Sequence, residues 1–208
     1  ARINSYELAY RMQTSVPEAL EMSQETAETE KLYGIDNETT EVYGRRLLAA
    51  RRLAERGVRF TLAYLSDYGE WDSHRDLKKN HARSCARVDK PVAGLLKDLK
   101  RRGLWDDTVV VFCTEFGRTP RLNKFQGRDH WTNAYSIAFA GAGIRGGQVI
   151  GQTDAKASSI ESEGYGPKDL HSTIAHALGL PLDKRVHALG GRPFFVGNRG
   201  KVIKQAFA

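Results

Sequence analysis

The run Thr108-Val-Val-Val-Phe-Cys-Thr114 constrains this chain more than any other feature. A continuous stretch of β-branched and aromatic residues, without polar alternation, describes a strand buried on both faces, as in parallel sheets. A second strand-like run occupies residues 58–65, Val-Arg-Phe-Thr-Leu-Ala-Tyr-Leu. Between the two lies a long helical pattern over residues 77–102, in which Ala86, Val88, Val92, Leu95, Leu96 and Leu99 recur at helical spacing. Gly103 closes that helix, and Pro91 is expected to kink or split it. Strand, helix, strand is a βαβ unit, whose right-handed crossover makes its strands parallel. The loops after Leu65 and after Thr114 then share one edge of the sheet, where α/β enzymes gather their sites. Residues 136–140 give a third strand candidate, followed by a glycine-dense turn whose G-x-G opens no helix and is not read as a dinucleotide loop. The expected fold class is α/β with a mostly parallel sheet.

Residues 1–57 read differently, as helices and turns around that core. A helix-like stretch covers residues 3–13, Pro17 after Ser15 suits the start of a short helix, and Gly34 suits a helix stop. Asn37 can cap a helix over residues 38–56 that Gly57 ends. Arg45, Arg46, Arg51, Arg52, Arg56 and Arg59 alternate there with Leu47, Leu48, Leu53 and Val58, which reads first as a helix with a solvated basic face. Anion or nucleic-acid contact is the alternative, although no nucleic-acid module accompanies these arginines. Further on, Pro167 opens a helix over residues 168–178 with Gly179 as its stop. The domain organisation expected is a helical segment over residues 1–57 packing on a core over residues 58–208.

With 208 residues, 40% of them hydrophobic and 27% charged, the chain can bury a sizeable core, which excludes a disordered class. It contains no apolar run near the roughly 20 residues that cross a bilayer, so no membrane partner is expected. It starts at Ala1 directly on a helix-like stretch and is read as part of something longer. A formal charge of +7 fits an anionic partner. Cys85 and Cys113 have neither the number nor the spacing of a disulfide framework or a zinc site.

Three loops concentrate residues that bind metals or oxyanions. In Gly69-Glu-Trp-Asp-Ser-His74, residues two apart in an extended segment point the same way, so Asp72 and His74 can present a carboxylate and an imidazole to one ion. Loop capping by the same two residues is the alternative. In Thr114-Glu-Phe-Gly-Arg-Thr-Pro120, Glu115 ends a buried strand, where a carboxylate must be paired, hydrated in a cleft or bound to a cation. Its competing role is a salt bridge to Arg118 or Arg121, and Arg118 can itself face an anion bidentately. In Gly127-Arg-Asp-His-Trp131, adjacent Asp129 and His130 cannot both point one way, which favours His130 as ligand and Asp129 as the group orienting it or another ligand. Lys124 and Arg128 add positive charge to the same edge, while His171, His176 and His187 read as structural.

These runs resemble the DUF1501 family, which is placed among alkaline phosphatase-like and sulfatase-like proteins. Trp71-Asp-Ser-His74, Glu115-Phe-Gly-Arg-Thr-Pro120 and Gly127-Arg-Asp-His-Trp131 are similar to its characteristic stretches. So are Gly146-Gly-Gln-Val-Ile-Gly151, Asp169-Leu-His-Ser-Thr-Ile174 up to Leu178-Gly-Leu180, and, near the start, Ser5-Tyr-Glu-Leu-Ala9 and Arg11-Met-Gln13. The resemblance implies a partial alkaline phosphatase-like α/β/α core, with residues 58–208 as the C-terminal part of a hydrolase whose N-terminal half is a missing partner. It implies a divalent cation (Zn, Ca, Mg or Mn) held by Asp72, His74, Glu115 and His130, and an anionic ester as substrate, with Arg118 on its oxyanion. Phe116 stands where the phosphatase branch has a second histidine, which favours one cation or an altered second site. The sulfatase cysteine motif is absent around Cys85 and Cys113, and no nucleophile is identified. The function expected is therefore metal-dependent hydrolysis of phosphate or sulfate esters in the full-length protein, in an exported bacterial setting. The alternative is a non-catalytic relative that holds anionic polymers on a basic surface.

Overall fold

The computed structural model describes residues 3, 6, 7, 10, 17–67, 69–188 and 190–208. The stretch expected to be helical over residues 3–13, Ser15, and the runs at residues 5–9 and 11–13 fall largely or wholly outside the described residues. The chain forms two compact units: residues 1–73 with 77–104, and residues 74–76 with 105–208.

The first unit is helical because its sequence punctuates helices well. Helix α1 (Ala27–Tyr33) starts behind Thr26, whose hydroxyl accepts from the Thr29 amide, and ends at Gly34, whose φ of 70° only glycine adopts at no cost. Helix α2 (Glu41–Glu55) begins later than residue 38 because Asn37 opens a turn instead, its side chain accepting from the Thr39 amide. Helix α3 (Leu77–Arg101) is one element, with Pro91 inside it and buried rather than splitting it. Tyr33, Ile35, Leu47 and Leu48 form the buried cluster, flanked by Met22, Leu32, Ala63, Leu65, Val92 and Leu95. Each fully buried side chain of this kind contributes about 1.5–3 kcal/mol. Gly94 lets α3 lie directly against the Leu32 carbonyl, which any Cβ there would strike.

The arginines of α2 correct the reading of a solvated basic face. Arg51 and Arg52 are buried. They follow Leu47 and Leu48 by four residues each and so continue the core-facing stripe. The Arg51 guanidinium meets Glu25 at 2.8 Å, Glu55 at 2.5 Å and Asp98 at 3.1 Å. Arg52 donates to Glu25 at 2.5 Å and to the Ala19 carbonyl at 2.7 Å. Arg102 donates to Asp98 at 3.0 Å and Glu55 at 2.8 Å, and Tyr33 donates its hydroxyl to Asp98 at 3.1 Å. Three guanidinium groups thus balance three carboxylates, the condition under which charge can be buried. Burial pushes the Glu25 carboxyl up, but hydrogen bonds from Arg52 and Arg51 outweigh it and hold Glu25 below the usual carboxylate range.

The second unit overturns the expected parallel α/β/α sheet. Strand β1 (Val109–Phe112) pairs antiparallel with β4 (Ala138–Gly141), Val110 opposite Ala140 and Val111 opposite Phe139. Strands β2 (Gly117–Arg118) and β3 (His130–Trp131) form a second antiparallel pair, and β5 (Arg185–His187) with β6 (Pro193–Phe195) a third. Residues 58–65, expected to be the parallel neighbour of β1, belong to no strand ladder among the described residues. Nor is β1 buried on both faces, since Phe112 is exposed. A β-branched run fixes extended backbone, not the identity or direction of its partner, and here the chain returns after residues 113–137 to pair with itself. Helix α4 (Pro167–Ala177) closes the unit. Asp169 accepts from the Gly166 and Lys201 amides, and Thr173 accepts from the Ile203 amide at 3.0 Å, so the tail is stitched along that helix.

Candidate metal centre

The segment 74–76 lies along the loop that joins β2 to β3. Arg75 bridges Gln126, and the Asp76 amide donates to the Phe125 carbonyl at 3.1 Å. Asp76 and Gln126 both take left-handed backbone, with φ of 49° and 57°. Such angles are uncommon outside glycine and persist where surrounding contacts dictate them. Asp76 therefore ends this bridge immediately before α3. Gly127 is what allows the approach, because a Cβ on it would collide with the His74 carbonyl.

That packing delivers His74 to Asp129. The His74 Nδ1 lies 2.8 Å from Asp129 Oδ1, and as a carboxylate can only accept, Nδ1 carries the proton and Nε2 the lone pair of the neutral ring. The bond from His74, then the one from Asn123, hold the Asp129 carboxyl below its ordinary range. His130 follows on β3, its ring centroid 4.9 Å from that of His74 and 4.7 Å from Phe116. Asp72 stands two residues before His74 on the same chain segment. One ligand atom from each of Asp72, His74 and His130 lies within 4.8 Å of the others. Among the described residues no other group of histidine, cysteine, aspartate and glutamate side chains meets that condition.

Glu115, the fourth expected ligand, is not in this group. Its Oε1 accepts from Arg118 at 2.9 Å, the ion pair that competes with ligation in the sequence. Arg118 sits directly opposite His130 in the β2–β3 register, on the same face of the pair, with its guanidinium 5.0 Å from the Phe116 ring centre. A positive group thus stands beside the imidazoles. Lys124 lies 5.0 Å and Arg75 5.2 Å from the centre of the Phe125 ring, on the neighbouring loop. Trp131, half-buried in β3, pairs with Gly117. His81 packs edge-on to Trp71 and His176 to Phe207. Asp129 orients His74, not its neighbour His130. Asn123, which sequence reasoning passes over, joins Asp129 to His74; an Asn four residues before a Gly, between two strands, is the turn signal that marks it.

One carboxylate and two imidazoles match the donor set of open zinc sites, where three protein ligands leave a position for water or substrate. The His74–Asp129 bond is of the kind found beside such sites, where a metal-binding histidine commonly donates its other ring N–H to a carboxylate.

Residues 1–207 match the family described as Protein of unknown function (DUF1501). The chain belongs to the DUF1501 family. No curated protein and no solved structure matches it. The three loops that build the centre of this DUF1501 chain lie inside the matched span. Among its described residues no helix is long and apolar enough to cross a membrane.

Proposed function

We propose that this chain carries the cation-binding part of a metal-dependent hydrolase acting on phosphate or sulfate esters. The observation that supports it is the gathering of Asp72, His74 and His130 with Arg118 opposite His130 on β2. Asp72, His74 and His130 would hold one divalent ion, which when bound supplies Lewis-acid polarisation of an ester oxygen and acidifies a water. Asp129 keeps the proton at His74 Nδ1 so that Nε2 faces the ion. Arg118 would offer its fork to an oxyanion, and Glu115, which accepts from its Nη2 at 2.9 Å, braces it. The likeness to alkaline phosphatase-like and sulfatase-like proteins enters through the residue runs alone, because the sheet described above is not theirs. No residue is assigned as nucleophile.

The test is a zinc and manganese titration of protein purified without chelators, with turnover of aryl phosphate and aryl sulfate measured in parallel. The proposal expects one ion per chain, lost in His130→Ala, and, in the full-length protein, ester hydrolysis that Arg118→Ala weakens through KM. Absence of bound ion in the unchanged protein, or unchanged uptake in His130→Ala, overturns it. Salt-sensitive binding of a sulfated polymer with no turnover favours the non-catalytic alternative instead.

A further inference from the structure

We infer that Asn123 is the positioning residue of this centre, acting on the cation through Asp129 and His74; the inference rests on the metal reading above. Its side-chain amide uses its whole hydrogen-bonding capacity inside one loop. Nδ2 donates to the His74 carbonyl at 2.9 Å and to Asp129 Oδ1 at 3.0 Å. Oδ1 accepts from the Phe125 amide at 2.9 Å and the Gly127 amide at 3.1 Å. Two donors meet two acceptors and the oxygen meets two N–H groups, so the reversed amide orientation has no matching partners.

The two halves of the amide do different work. The oxygen half closes the 123–127 turn, which the Asn123 backbone amide also braces by donating to the Gly127 carbonyl at 2.9 Å. The nitrogen half locks the backbone of His74 and the carboxylate that receives its ring proton. Thr119 holds Asp129 at its backbone: the Asp129 amide donates to Thr119 Oγ1 at 3.1 Å, and the Thr119 amide to the Asp129 carbonyl at 2.8 Å. Asn123 instead grips the carboxylate itself, and so aims the Asp129 side chain and, through it, the Nε2 of His74.

Asn123→Asp separates the halves, because it keeps the acceptors that close the turn and removes both donors. The experiment is zinc titration of the full chain, wild type against Asn123→Asp and Asn123→Ser, with circular dichroism and melting of the zinc-free proteins. Asn123→Asp is expected to fold with an unchanged spectrum and to lose about 10–100-fold in zinc affinity, the usual cost of removing such a support. A folded Asn123→Asp that binds zinc as the wild type does overturns this inference and leaves the metal reading standing. A wild type that binds no zinc overturns both. If Asn123→Asp fails to fold, Asn123→Ser decides: its hydroxyl can still accept within the turn but is too short to hold the Asp129 carboxylate, and a zinc affinity equal to that of the wild type overturns the inference.

Discussion

The two units place the same chemical partners, cation or imidazole against carboxylate, in opposite surroundings. In the first, the Arg51 side chain is 2% exposed, Asp98 3% and Glu25 7%. In the second, His74 is 45% exposed and Asp129 53%. Charges taken out of water are held by several partners at once, and each loss leaves a stranded charge. Charges left in water are worth little to stability. The buried network therefore shapes a fold, whereas the open cluster, fixed by short hydrogen bonds from a turn, keeps ligand atoms where a solute can reach them.

The sharpest way to break this comparison is Arg51→Ala. It leaves the carboxylates of Glu25, Glu55 and Asp98 with only Arg52 and Arg102 to balance them, and is expected to cost about 3–5 kcal/mol in urea unfolding. A cost under about 1 kcal/mol would place the network with surface pairs. Gly127→Ala comes next. Forcing a Cβ against the His74 carbonyl is expected to cost about 1–3 kcal/mol, as overpacking does, and to abolish zinc uptake by moving His74. An unchanged zinc affinity would show that the close approach does not set the centre. Acid probes the first unit without mutation. Glu25 has its folded pKa lowered, so its contribution is present above the unfolded value of about 4.3 and is lost as pH falls through the lower folded value. Helical circular dichroism is expected to hold down to about pH 4 and fall below it; a loss centred near pH 6 would implicate histidine instead. The smallest effect belongs to Glu115→Gln. A pair with one partner 55% exposed contributes under about 1 kcal/mol, and zinc affinity is expected to stay unchanged. A large loss of affinity would restore Glu115 to the ligands.

Much of the helical architecture is legible in the residues. Gly34, Gly103, Pro167 and Gly179 punctuate helices through backbone chemistry that needs no distant partner. The sheet is not legible, because pairing direction depends on where a remote segment returns, and Val109–Phe112 finds Ala138–Gly141 instead of residues 58–65. Arg51 and Arg52 mislead because charge suggests solvent, although their spacing from Leu47 and Leu48 carries the contrary signal. At the centre, Asp72, His74 and His130 are visible as residue types on loops that fold together. Asn123 shows there only as a turn residue ahead of Gly127, because an amide has no charge or metal preference to advertise a role at the centre, and its four partners reveal that role.

Residues 58–65 carry one more consequence. Phe60, Leu62 and Tyr64 are 64%, 63% and 68% exposed, while Ala63 and Leu65 turn toward the helical core. Exposed apolar side chains on a run that joins no strand ladder among the described residues are a template for strand pairing between molecules, with Arg59 the charge at its leading end. Handled at high concentration, the protein will store badly, and a lysine in place of Leu62 is the simplest gatekeeper against it.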